Sequence, residues 1–83
     1  MQHKKLYRIY FTEFNDENFK KVVDILKEKY NSQVNIMKSN VIDEFRAIEL
    51  YLDNDSYLNE IKSLVTSLTG SQYVRVDFID TSR

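Results

Sequence analysis

No cysteine occurs in this sequence. That excludes disulfides, thiolate metal sites, iron–sulfur clusters and cysteine nucleophiles together. There is no proline, and a lone glycine, Gly70, is too little for a glycine-rich loop of the kind that cradles phosphate. The one histidine, His3, stands beside Lys4 and Lys5 in a lead-in segment. With no second imidazole and no thiolate to share a metal, it reads as a solvated terminal residue. No apolar run approaches the ~20 residues that a membrane-spanning helix needs. The basic start, MQHKK, is not followed by the apolar stretch of a signal peptide, so the expected location is cytoplasmic. Nor is there a charge excess: the formal net charge is −1, which does not show the basic balance usual in proteins that hold nucleic acid.

What the chain does have is enough apolar and charged residue for one small core and a charged surface. The hydrophobic fraction is 42% and the charged fraction 30% over 83 residues, which predicts one domain spanning 1–83, with 1–4 and 80–83 as flexible tails. Lys, Asn, Ile and Tyr are abundant and alanine is confined to Ala47. That usage resembles proteins encoded by AT-rich genomes, low-GC bacteria and their phages or plasmids among them.

Hydrophobic periodicity divides the chain into six elements. Lys5 to Glu13 alternates like a strand and is rich in β-branched and aromatic residues. Asn15 or Asp16 then caps a helix whose apolar stripe is Phe19, Val22, Val23, Leu26 and Tyr30, ending at the turn signal Asn31-Ser32. Gln33 to Lys38 is a short strand, Ser39-Asn40 a hairpin turn, and Ile42 to Leu52 a third strand. Asp53, Asn54 and Asp55 supply a second cap, followed by a helix with Tyr57, Leu58, Ile61, Leu64, Val65 and Leu68 along one side and Gly70 as its C-cap. Gln72 to Ile79 is the last strand. The order predicts an α+β, ferredoxin-like βαββαβ sandwich: a four-stranded antiparallel sheet, order 4-1-3-2, with both helices on one face.

The other sheet face is then uncovered, and strand parity says what it carries. Tyr7, Ile9 and Phe11 go beneath the helices, as do Ile48, Leu50 and Leu52, and Val74, Val76 and Phe78. The outward set is Arg8, Tyr10, Thr12, Met37, Phe45, Ala47, Glu49, Tyr51, Tyr73 and Arg75, with Asp77 and Ile79 also outward on the last strand. Parity also sends Glu44 and Arg46 inward, which is poor core material; a one-residue bulge near Arg46 would bury Phe45 instead. An aromatic sheet face with arginines has the composition of a binding surface.

Ile9-Tyr10-Phe11-Thr12-Glu13-Phe14 resembles the first ribonucleoprotein motif of RNA-recognition motif domains. Glu44-Phe45-Arg46-Ala47-Ile48-Glu49-Leu50, with the DNDSYLNEIKSL that follows, is similar to the second motif and its helix. The resemblance implies that Tyr10 and Phe45 stack bases of a single strand. The chain departs from those motifs where Asp43 or Glu44 replaces a basic residue, Glu44 and Arg46 replace glycines, and Ala47 replaces the second aromatic. Other families of this topology leave no signature. The arginine-bearing anion loop of acylphosphatases, the cysteine pair of heavy-metal chaperones and the loop glycine of amino-acid sensors are all missing.

No residue set points to catalysis. Asp53-Asn54-Asp55-Ser56-Tyr57 starts like a calcium loop, but Tyr57 takes the third ligand position and no glycine follows. The expectation is a non-enzymatic module without metal or cofactor. Its partner-binding residues are Arg8, Tyr10, Phe45, Glu49, Tyr51, Tyr73 and Arg75, and its partner is a protein or a second copy in a homodimer. By size and composition it is similar to small phage or mobile-element regulators and inhibitors, such as anti-CRISPR proteins. The alternative partner is single-stranded RNA, held through Tyr10, Phe45 and Arg75.

Overall fold

A computed structural model describes residues 5–37, 44–53 and 56–80. The elements are β1 (Lys5–Thr12), α1 (Asp16–Tyr30), β2 (Val34–Met37), β3 (Phe45–Leu52), α2 (Leu58–Thr69) and β4 (Val74–Asp80). The sheet order is β2-β3-β1-β4, which is the expected 4-1-3-2 read from the other edge, and every pairing is antiparallel. This is the ferredoxin-like α+β sandwich. The expected tail at 1–4, residues 81–83 of the expected tail at 80–83, the turn at Ser39-Asn40 and the start of the third strand at Ile42 lie outside the described residues; Asp80, expected in the tail, instead closes β4 by pairing with Lys5.

The core sits between the sheet and the helices. Tyr7, Ile9 and Phe11 from β1 and Ile48, Leu50 and Leu52 from β3 meet Val22, Val23 and Leu26 of α1 and Ile61 and Val65 of α2. Each such side chain contributes ~1.5–3 kcal/mol when fully buried, before conformational entropy is set against it. Val74, Val76 and Phe78 pack against this cluster as parity predicts. Aromatic edges close one end: Tyr7 lies 5.3 Å from Phe78 and 6.5 Å from Tyr57, and Tyr57 lies 5.3 Å from Tyr30, between ring centroids.

Helix termination follows local chemistry. Asn15 caps α1, its side-chain oxygen accepting from the N–H groups of Glu17 and Asn18. Asn31 ends α1 in the left-handed region at φ 49°, and Gly70 ends α2 at φ 66°. The second N-cap differs from expectation. Tyr57, not an acid, precedes α2, and it makes no side-chain cap bond. The reason is packing: Tyr57 is drawn in between Tyr7 and Tyr30, and its N–H donates to the Tyr7 hydroxyl at 3.3 Å. Asp53 is exposed before the helix, and Asn54 and Asp55 lie outside the described residues.

Two questions of register are answered. Pairing of β1 with β3 is continuous from Lys5↔Leu52 to Thr12↔Phe45, so there is no bulge at Arg46, and Phe45 faces outward. Ile36 shares the helix-side parity of Val34, since it pairs with the buried Ile48, yet it is 56% exposed. It sits on an edge strand that the helices only partly cover.

Candidate interaction face

The register arranges the outward side chains in rows across the strands. Tyr51 and Ile79 flank Leu6. Asn35 and Glu49 lie to one side of Arg8 and Asp77 to the other. Met37 and Ala47 lie to one side of Tyr10 and Arg75 to the other. Phe45 pairs with Thr12 on β3, and Tyr73, just before β4, extends the opposite side. All seven expected residues, Arg8, Tyr10, Phe45, Glu49, Tyr51, Tyr73 and Arg75, therefore fall on or beside one sheet face.

The rows differ in chemistry. At one end the rings of Phe45 and Tyr73 stand 6.0 Å apart, 43% and 46% exposed. A serine fixes Tyr73 in place. Ser71 Oγ donates to the Tyr73 carbonyl at 2.7 Å and accepts from the N–H groups of Tyr73 and Thr12 at 3.2 and 3.3 Å. The Thr12 and Ser71 hydroxyls lie 2.6 Å apart, within hydrogen-bond distance. This clamp joins the α2–β4 connection to central strand β1.

The middle of the face is charged but internally matched. Arg8 donates from Nε and Nη2 to one Glu49 oxygen, at 3.0 and 2.8 Å. Arg75 Nε donates to Asp77 Oδ1 at 2.9 Å. The Glu49 hydrogen bond, then Tyr10, raises the Arg8 pKa, and Asp77 raises that of Arg75. Both outward arginines of the described face thus already hold a carboxylate.

Leu6, Asp77, Ile79, Phe14 and Ser71 belong to this region but were not among the expected binding residues. Leu6 is buried on the outward side, between its strand neighbours Tyr51 and Ile79. Phe14, two residues beyond Thr12, is 81% exposed near the Phe45 end. Parity alone points to Leu6, Asp77 and Ile79. Nothing in the pattern announces Ser71, because its role depends on where the connection crosses Thr12.

A second concavity, of about 1110 Å³, opens at the far end between the last turn of α1 and the first turn of α2, lined in part by Lys29, Tyr30, Tyr51, Tyr57 and Glu60. One of its two acids is engaged by a phenol: the Tyr30 hydroxyl donates to Glu60 Oε1 at 2.7 Å, while Asp53 lies at the rim. Among the described residues, no group of three or more His, Cys, Asp or Glu is placed to hold a metal ion, and no helix is long and apolar enough to cross a membrane. Comparison of the chain with protein-family models, curated proteins and solved structures finds no match.

Proposed function

We propose that this protein is a non-catalytic binding module whose outward sheet face engages protein, either another chain or a second copy of itself. The observation that carries the reading is the exposed Phe45–Tyr73 pair beside a charged row whose arginines are already held by Glu49 and Asp77. Exposed aromatics contribute the desolvation that a protein partner rewards. Arginines bound to carboxylates are poorly placed to release counterions from phosphate, the main source of affinity for nucleic acid. A module of this size would regulate or inhibit its partner by occupying the partner's surface, in keeping with a cytoplasmic setting.

One observation favours single-stranded RNA instead: Tyr10 and Phe45 lie diagonally on adjacent strands, as two stacked bases require. A paired experiment separates the readings. A labelled single-stranded RNA titrated at low salt should show no binding. Capture of protein from native-host extract by the wild-type chain should be lost by Phe45→Ser and Tyr73→Ser, with melting temperatures unchanged within a few degrees. RNA binding that weakens steeply with salt would overturn the protein reading.

A further inference from the structure

We propose that the partner covering this face is a second copy of the same chain, packed sheet to sheet about a two-fold axis perpendicular to the strands. This inference rests on the protein-binding reading and names its occupant. A two-fold axis lying in the interface, crossing the strands between the Arg8 row and the Tyr10 row, stacks each strand antiparallel on its own copy. Such an interface is isologous, so each contact occurs twice.

Under that operation Arg75 faces Asp77 of the second copy, and Asp77 faces Arg75. Each copy already joins Arg75 to Asp77, so the four groups close a ring of alternating charge. Arg8 falls on the Tyr10 ring of the second copy and Glu49 on its small Ala47. Tyr51 meets Phe45, Ile79 meets Tyr73 and Leu6 meets Thr12. Every outward charge thereby finds an opposite charge, an aromatic ring or a small side chain. A crossing of roughly 30°, usual for aligned sheets, leaves the pairs on central strands β1 and β3 in place and shifts those on edge strand β4 by about one residue, within reach of the long Arg75 side chain.

The competing two-fold axis runs along β1. It places Glu49 on Asp77 of the second copy and Arg8 on Arg8, like on like in a partly desolvated contact, which selects against that arrangement. The charges therefore discriminate between the two symmetric ways of pairing this face.

Area sets the expected strength. The four strands have eight, four, eight and seven residues. At ~3.3 Å per residue and ~4.8 Å between strands they give a footprint on the order of 430 Å² per copy. The total, on the order of 900 Å², falls just below the ~1,000 Å² of a stable specific interface and in the range of weak, transient ones. The expected dimer is therefore weak and concentration-dependent, with dissociation in the micromolar range.

The test is sedimentation equilibrium on the whole chain with two charge reversals. Arg75→Asp puts carboxylates opposite each other across the interface, and Asp77→Arg puts guanidiniums opposite each other. Each variant alone should lose at least roughly tenfold in association and run as a monomer where wild type dimerises. Mixed in equal amounts they should regain the dimer mass, since each supplies what the other lacks. The double exchange Arg75→Asp/Asp77→Arg should dimerise by itself. Both positions are on the outward face of β4, and circular dichroism checks that each variant is folded. A wild-type chain that stays monomeric to millimolar concentration overturns self-pairing; if host-protein capture still depends on Phe45 and Tyr73, the broader reading survives that result. Single variants that remain dimeric, or a mixture that remains monomeric, overturn this register. RNA binding at low salt without dimerisation overturns both proposals.

Discussion

The guanidinium of Arg46 lies 4.7 Å from the ring centre of Phe19, on the helix side of the sheet. From there Nε donates to the Glu13 carbonyl at 2.8 Å and Nη2 to Asp16 Oδ1 at 2.7 Å. An arginine can hold an inward position at the end of β3 because its stem covers apolar surface while its head satisfies the β1–α1 connection. The contacts differ in worth. The Asp16 partner is highly exposed, so that ion pair contributes ~0–1 kcal/mol. The carbonyl bond and the stacking each contribute on the order of 1 kcal/mol. Arg46→Ala should therefore cost about 2 kcal/mol in urea unfolding, and Asp16→Ala less than half of that. Equal losses would mean that the ion pair dominates.

How far could this be read from sequence? The β1 pattern of Tyr7, Ile9 and Phe11 against Leu6, Arg8 and Tyr10 was legible because strand parity is binary and one set contains a charge. Arg46 was not, because parity says where a side chain starts and not where its sixth or seventh atom ends. The α2 N-cap failed for a related reason. Asp53 to Asp55 satisfy local capping rules, but Tyr57 gains more by burying its ring against Tyr7 and Tyr30, and the tertiary contact moves the helix start. Ile36 shows the same limit: alternation assigned its face, while its exposure depends on how far the helices reach over β2.

Gly70 offers a clean measurement of backbone cost. Its φ is 66°, and a methyl group added there would meet nothing within 4 Å. Gly70→Ala should thus lose ~1–2 kcal/mol through the left-handed conformation alone. Gly70→Asn should recover part of it, because asparagine tolerates that region. Asn31 is the converse, a non-glycine already at φ 49°, and Asn31→Gly should stabilise by a few tenths of a kcal/mol up to about 1. Thermal melts of the three variants check both signs.

Ser71 links the fold to the proposed interaction face. Its hydroxyl holds both backbone groups of Tyr73 and the Thr12 hydroxyl. Ser71→Ala leaves those partners to water or unsatisfied, at a cost of ~1–3 kcal/mol. It also releases Tyr73 from its position beside Phe45. Association through this face should weaken more than the loss of stability explains, with the effect visible at temperatures well below the melting point. Ser71→Thr keeps the hydroxyl and should retain most of the binding, measured by sedimentation or partner capture.

Tyr30 gives the molecule an alkaline signature. Burial, then the hydrogen bond to Glu60, raises its pKa above the ordinary value of 10. Both act against the phenolate: partial removal from water disfavours the charge, and the Glu60 carboxylate repels it while accepting from the neutral hydroxyl at 2.7 Å. In the unfolded chain Tyr30 ionises near its ordinary pKa, so the folded state binds the extra proton above that pH. The stability this contributes is fully present below pH ~10 and is lost progressively as pH rises beyond it, until the folded-state pKa is passed. Tyr30→Phe removes both the hydrogen bond and the titration. It should lower the urea midpoint at pH 8, and the gap to wild type should narrow by pH 11. A gap unchanged between pH 8 and 11 would show that the phenol ionises alike in the folded and unfolded states.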